Sequence, residues 1–378
     1  MKAIDRILDK ALAGGRITLE ETATLFESDE IEKMGRAADE LMRRKHPEPI
    51  TTFNIGRNIN YTNVCNLYCR FCAFYRRPGH EEGYVLPNEV IFEKIRELVE
   101  VGGDEILMQG GVNPELPFSY YDNLLREIKR RFPQVTVHSF STVEIRQMKE
   151  LGGFATYEDT LRYLKEAGLD SLPGAGAEIL VDRIRMKISR LKGSWREWID
   201  IHKAAHRAGL HTTATMVIGF GETSEERALH LHRIRDAQDE CIREGYPSPG
   251  FLAFIVWTFQ PDNTNLKREK LPPEEYLKAV AIARITLDNI PNLQSSWVTM
   301  GPEIGKLSLS YGCNDFGSTM MEENVVSAAS CTHKVNIASI LRYIREAGKI
   351  PAQRNTKYEI LRIFDENAAV EKDFVMQN

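Results

Sequence analysis

The sequence predicts an α/β protein built as a (β/α) barrel of the TIM type, of eight strand–helix units, with a helical extension ahead of it. Three observations lead there. From about residue 50 onward, short β-rich runs alternate with amphipathic helical stretches. Parallel neighbours need a crossover, which helices supply, so this alternation implies a parallel sheet. Seven or eight such units favour a closed barrel over an open doubly wound sheet, and 378 residues fall within the length of one such unit. Finally, polar and glycine-rich strings fall where the predicted strands end, the face at which a barrel collects its chemistry.

Residues 1–49 read as a helical extension and linker. Thr18 followed by Glu21 has the spacing of a capping box, Leu25 and Phe26 continue the apolar face, and Pro47 and Pro49 block further helix. Residues 50–350 carry the barrel, and 351–378 form a C-terminal extension packed on it. Strands are expected near 52–60, 105–109, 135–140, 171–174, 212–218, 251–259 and 295–300, with a last short one near 314–316. Helices are expected near 88–101, 120–132, 157–167, 194–208, 224–244 and 273–289, and after His333.

Composition excludes several classes. Lys plus Arg number 49 against 54 for Asp plus Glu, a formal net charge of −5, so the basic footprint of a nucleic-acid binder is missing. No run of 18 apolar residues suggests a membrane helix. The first 21 residues place Asp5 and Asp9 inside their apolar pattern and contain no signal-peptide core, so a cytoplasmic protein is expected. Oligomeric state is not legible.

Half of the six cysteines fall in one string, Cys65-Asn-Leu-Tyr-Cys69-Arg-Phe-Cys72, just beyond the first predicted strand. Thiolates are soft ligands that suit zinc and iron–sulfur clusters. Three of them can hold three corners of a cubane and leave one iron open, where a substrate or cofactor binds. The alternative is a zinc knuckle completed by His80 or a distant cysteine.

The C-x3-C-x-aromatic-C spacing, with Phe71 before the third cysteine, resembles the signature of radical S-adenosylmethionine (SAM) enzymes. That resemblance implies a 4Fe–4S cluster on Cys65, Cys69 and Cys72, with SAM chelated to the open iron. It further implies that Gly110 and Gly111, otherwise a tight turn after a strand, contact the amino end of SAM. The strings Gly174-Ala-Gly-Ala and Gly219-Phe-Gly-Glu lack the third glycine of a dinucleotide site, so no Rossmann site is expected. Glu178 is placed to hold a ribose hydroxyl, or is a solvated loop acid. Lys192, in the basic stretch 183–192, faces either the SAM carboxylate or solvent. His138, at a strand end, reads as a general base or as a satisfied core histidine.

Longer strings narrow the resemblance. Residues 56–65, 72–76, 79–86, 312–317 and 321–326 resemble the radical SAM enzymes of the futalosine route to menaquinone that cyclise dehypoxanthine futalosine. Aminofutalosine synthase and the deazaflavin synthases are the sister activities. The resemblance implies a small-molecule substrate, an electron donor such as flavodoxin or ferredoxin, and neither nucleic acid nor membrane as partner. Such a reaction calls for a cation at the benzoate and a base: Arg57 reads as that positioning charge or as the partner of a neighbouring acid, and His138 as the base.

Overall fold

A computed structural model of the chain describes residues 3–365, 370 and 372–374. Helices Ala3–Leu12, Leu19–Glu27 and Ile31–Lys45 form the N-terminal extension. The capping box is present, with the Thr18 side chain accepting from Glu21 N and the Glu21 carboxylate accepting from Thr18 N. The second and third of these helices pack on the barrel helices Ser224–Glu244 and Pro273–Thr286.

Among the described residues, eleven strands form one sheet: β1 (Ile50–Asn54), β2 (Gly56–Ile59), β3 (Glu105–Met108), β4 (Thr136–Ser139), β5 (Ser171–Leu172), β6 (His211–Ile218), β7 (Phe251–Thr258), β8 (Asn292–Gln294), β9 (Asp315–Ser318), β10 (Ile350–Arg354) and β11 (Ile360–Ile363). Neighbours from β2 through β9 in the order 2-3-4-5-6-7-8-9 run parallel, and β9 pairs with β1. Only Ile55 separates β1 from β2, so the two act as one stave that meets β9 through its first half and β3 through its second. This closes the barrel at eight staves.

The expected strand near 295–300 falls elsewhere. β8 ends at Gln294, and Trp297–Met300 is one helical turn. Ser295 N makes the last bond toward the neighbouring strand, on Asp315 O, whereas Ser296 N donates to the Tyr276 hydroxyl. The chain has reached the rim there, and Gly301 at φ +84° with Pro302 turns it away.

Helices Thr142–Gly152 and Asp182–Ser189 and the pair β10–β11 were not anticipated. β10 lies parallel to β1, with β11 antiparallel beyond it. Gln353 Nε2 donates to Gly102 O and Thr356 Oγ1 to the Glu105 carboxylate, which ties this segment to the start of β3. It thereby carries Arg354 into the bottom of the barrel.

Candidate active site

Period-2 alternation aims Glu105, Leu107 and Gln109 of β3 and its extension, His138 of β4, and Thr213, Thr215 and Val217 of β6 into the barrel. Together with Phe71, Cys72 and Glu178 above and Gln294 and Arg354 below, they enclose a cavity of about 320 Å³. That is enough for a small organic ligand.

The cysteine loop forms its roof on one side. Tyr61, fully buried, donates to Glu144 Oε1 at 2.6 Å, and Cys65 N donates to Arg76 O at 2.8 Å. Asn63 accepts from Tyr84 N and donates to Glu82 O, while Arg70 N reaches Ile188 O. These bonds make 60–86 a single knot around the thiols. All three cysteines are unpaired. Burial pushes each thiol up, Cys69 to about 12, with Lys192 pulling the other way.

Backbone N–H groups of Leu67 and Val112 near the Cys65 sulfur, and of Phe74 and Tyr75 near that of Cys72, work against the rise. Such donors favour the thiolate and tune bound clusters. Among the described residues no three His, Cys, Asp or Glu side chains converge as they would on one metal ion. Thiolates on the corners of a cubane stand farther apart than ligands of a single ion. His80, the alternative zinc ligand, accepts Glu82 N–H at its Nδ1. The donor set fits the cluster.

Gly110 and Gly111 run beside the loop. A Cβ on Gly110 would lie 2.6 Å from the Tyr61 ring, and one on Gly111 would strike Val64 O and lie 2.8 Å from Cys65 Cβ. Gly110 N donates to Glu144 Oε1, which also takes the Tyr61 hydroxyl, and Ser141 donates to the other oxygen. Glu144 was not singled out from the sequence, although the Ser141–Glu144 spacing is a capping-box signal.

Opposite the thiols, Glu178 sits at φ +43° and is almost wholly buried. Lys192 Nζ is 2.7 Å from its Oε1 and Arg185 Nη1 is 3.6 Å from its Oε2, which has no hydrogen-bond partner. Burial pulls Lys192 down, but Glu178 and Cys69 outweigh it and hold the ammonium above its usual value. Its Nζ also stands 5.0 Å from the Phe71 ring centre. The basic stretch thus divides: Arg183 and Arg190 face outward, Arg185 and Lys192 inward.

At the floor, His138 Nδ1 lies 2.6 Å from Ser171 Oγ. Burial, with Arg354 nearby, pulls His138 down to about 3, so it is neutral. Arg354 forms two bonds to Asp315, at 2.5 and 3.1 Å, and its guanidinium lies 3.8 Å from the Tyr358 ring.

Arg57 follows the second of its two readings, as a partner of acids rather than a charge in the cavity. In β2, Asn58 faces the cavity, so the alternation turns Arg57 outward, onto Glu97, Glu322 and Lys94 O. The cation lining the cavity is Arg354, from a segment read only as an extension.

Barrel and loop together define the class of radical SAM enzymes, and the model of the radical SAM superfamily matches residues 59–234. A second model, the CofH/MqnC C-terminal region, matches 248–367 and so takes in β7 through Arg354. The chain is 62% identical over 377 residues, all of both chains, to a protein named cyclic dehypoxanthine futalosine synthase in Halalkalibacterium halodurans. It is 45% identical to the protein of that name in Streptomyces coelicolor, over 96% of this chain and 90% of that one. Aminodeoxyfutalosine synthase of Thermus thermophilus is 36% identical, over 95% and 96%. Among solved structures, methylornithine synthase shares the fold at a TM-score of 0.68 with 18% identity, covering 92% of this chain and 97% of that one. The chain belongs to the family of cyclic dehypoxanthine futalosine synthases.

Proposed function

We propose that this protein is the radical SAM cyclase that turns dehypoxanthine futalosine into cyclic dehypoxanthine futalosine in menaquinone biosynthesis. Full-length identity of 62% to a protein of that name carries the reading, because it spans both the cysteine loop and the Arg354 floor. When bound, the cluster and SAM supply a 5′-deoxyadenosyl radical by one-electron cleavage. The reaction removes the C4′ hydrogen of the substrate ribose and closes a carbon–carbon bond onto the benzoate ring. Release of one electron and one proton then restores aromaticity.

Cys65, Cys69 and Cys72 hold the cluster, with Phe71 packed beside them. Gly110 and Gly111 bring backbone close enough to meet the amino end of SAM. Glu178 offers its unpartnered Oε2 to ribose hydroxyls, while Lys192 neutralises that carboxylate and faces the SAM carboxylate. Arg354 takes the role first given to Arg57, presenting a fixed cation to the benzoate end. His138, with Nδ1 engaged by Ser171, leaves Nε2 for the proton. A ring regaining aromaticity is strongly acidic, so a weakly basic imidazole suffices. The enclosed barrel keeps water from the reacting carbons.

The functional unit proposed for 50–350 therefore extends to Arg354, with residues 3–49 as a buttress; the expected C-terminal extension 351–378 lies partly outside the described residues. The six cysteines are free, which fits a reducing, cytoplasmic setting, and the electron donor is the flavodoxin or ferredoxin that the family resemblance implies.

The test is anaerobic reconstitution with iron and sulfide, then SAM, reductant and dehypoxanthine futalosine, with products read by mass spectrometry. Expected are 5′-deoxyadenosine and a product two hydrogens lighter than substrate. Changing Cys65, Cys69 or Cys72 to Ala abolishes cluster absorbance and SAM cleavage, whereas Cys241→Ala keeps both. SAM cleavage without the cyclised product would redirect the assignment to the sister substrates.

A further inference from the structure

The cysteine loop has two faces. Phe71, Cys72 and Ala73 line the cavity, while Asn66 and Leu67 line a separate groove on the outside of the barrel. That groove is completed by Val112, Val143 and Leu191 on its apolar side and by Arg146, Gln147 and Glu150 on its polar side, and Leu67, Val112 and Val143 belong to the cluster that buries Cys65 and Cys69. One layer of side chains thus separates these two thiols from the outer surface.

Several cations lie on the surface around this groove, although the chain has a net charge of −5. Tyr68, between Leu67 and Cys69, is held at φ +53°, a conformation non-glycine residues adopt only when the surroundings impose it, and the residue is 43% exposed. Arg77 stands 5.4 Å from the centre of that ring. Arg70 reaches Lys187 O across to the helix Asp182–Ser189, which also presents Met186, 57% exposed. Arg190 and the exposed Leu191 follow in the next turn. Arg70, Arg77, Lys187 and Arg190 form no ion pair among the described residues. Glu226, which feels Lys187, is already bonded to Arg183. Asp182 and Glu150 are the acids at the edge of the patch, and Asp182 accepts from Trp195 N.

We propose that this outer face of the cysteine loop is the docking surface for a small acidic protein that carries single electrons, of the flavodoxin or ferredoxin type. The inference rests on the radical SAM reading of the loop and adds where its electron enters. Unpaired cations around an exposed aromatic and aliphatic centre match an acidic partner with an apolar contact spot. The carrier would give up one electron and be oxidised by one unit, the cluster that Cys65, Cys69 and Cys72 would hold would be reduced by one, and no proton need cross the interface.

The test measures binding of purified flavodoxin, and of ferredoxin, to the reconstituted protein by titration calorimetry at low and high salt. Carrier-driven and dithionite-driven SAM cleavage are followed alongside. The triple variant Arg77→Glu, Lys187→Glu, Arg190→Glu is expected to weaken carrier binding by about tenfold or more at low salt. It should lose carrier-driven cleavage while dithionite-driven cleavage stays within about twofold. The charge-keeping variant Arg77→Lys, Lys187→Arg, Arg190→Lys should bind as the unaltered protein does, which separates charge from misfolding. Carrier binding that is unchanged by charge reversal or by salt overturns the docking surface, as does failure of both carriers to bind. Absence of dithionite-driven cleavage in the unaltered protein would instead overturn the radical SAM reading, leaving the binding isotherms to judge the surface.

Discussion

Glu178 combines a left-handed backbone, near-complete burial, two cationic neighbours and one free oxygen. A buried carboxylate is tolerated because Lys192 and Arg185 neutralise it, and removing its charge would strand both cations in a dry wall. Glu178→Gln is therefore expected to cost about 3–5 kcal/mol of stability and to raise the SAM dissociation constant about tenfold or more. Denaturant melts and equilibrium dialysis with SAM measure the two separately. A purely structural residue would lower the melting midpoint and leave SAM affinity of the folded fraction unchanged. His138 shows a different use of burial. Its depressed pKa keeps the imidazole neutral at the floor, beside a cation already matched by Asp315.

Among the elements, the ends of β2 and β3 matter most. β3 pairs with β2 in register, Met108 opposite Ile59, so the residues just beyond each strand meet above the rim. This brings Gly111 against Val64 and Cys65, where backbone alone fits. Gly111→Ala is expected to destabilise by about 1–3 kcal/mol, the ordinary cost of overpacking. It should also lower the iron content after reconstitution, measured by absorbance and metal analysis. A variant that folds and loads iron normally would show that the loop can shift away. The strings at 312–317 and 321–326 also shape the rim, the second lining the cavity through Glu323, Val325 and Val326. Asn314 accepts from Leu293 N and Arg284, Asp315 holds Arg354, and Glu322 ties Arg57 and Lys94 to the rim.

At the scale of the whole molecule, buried histidines set the acid limit. Burial holds His138, His202, His206, His211, His230 and His232 below their usual value, with His138, His206 and His230 at about 3 and His211 and His232 at about 4. A group whose pKa is depressed by folding binds its proton in the unfolded chain first. Its contribution is present above about pH 6.5 and fades as pH falls toward the folded value. Each such histidine adds a slope of up to about 1.4 kcal/mol per pH unit over that range. Asp104, pushed up to about 7 by burial and by Glu105, acts in the opposite sense, as do Glu105, Glu144, Asp236 and Glu323, which burial also raises. These acids start from ordinary values below the histidine range, so the histidines carry the slope between about pH 7.5 and 5.5. Urea unfolding at pH 7.5, 6.5 and 5.5 should show stability falling with pH and more than one proton taken up on unfolding. A flat profile would mean that these imidazoles are not held neutral. No helix among the described residues is long and apolar enough to cross a membrane.

What the sequence determined by itself is what lies close along the chain. The three thiols and Phe71 share one loop of eight residues, the capping box at Thr18 spans one turn, and the strand–helix alternation repeats at short range. Spacing sets such features whatever surrounds them. Tertiary structure alone decided which side each strand residue faces, and therefore that Arg57 leaves the cavity while Asn58 lines it. It also brought Arg354 from the far end of the chain to the floor and paired Glu178 with Lys192 and Arg185. These depend on strand register and barrel closure, where a shift of one residue reverses the facing of a whole strand and no local pattern records the choice.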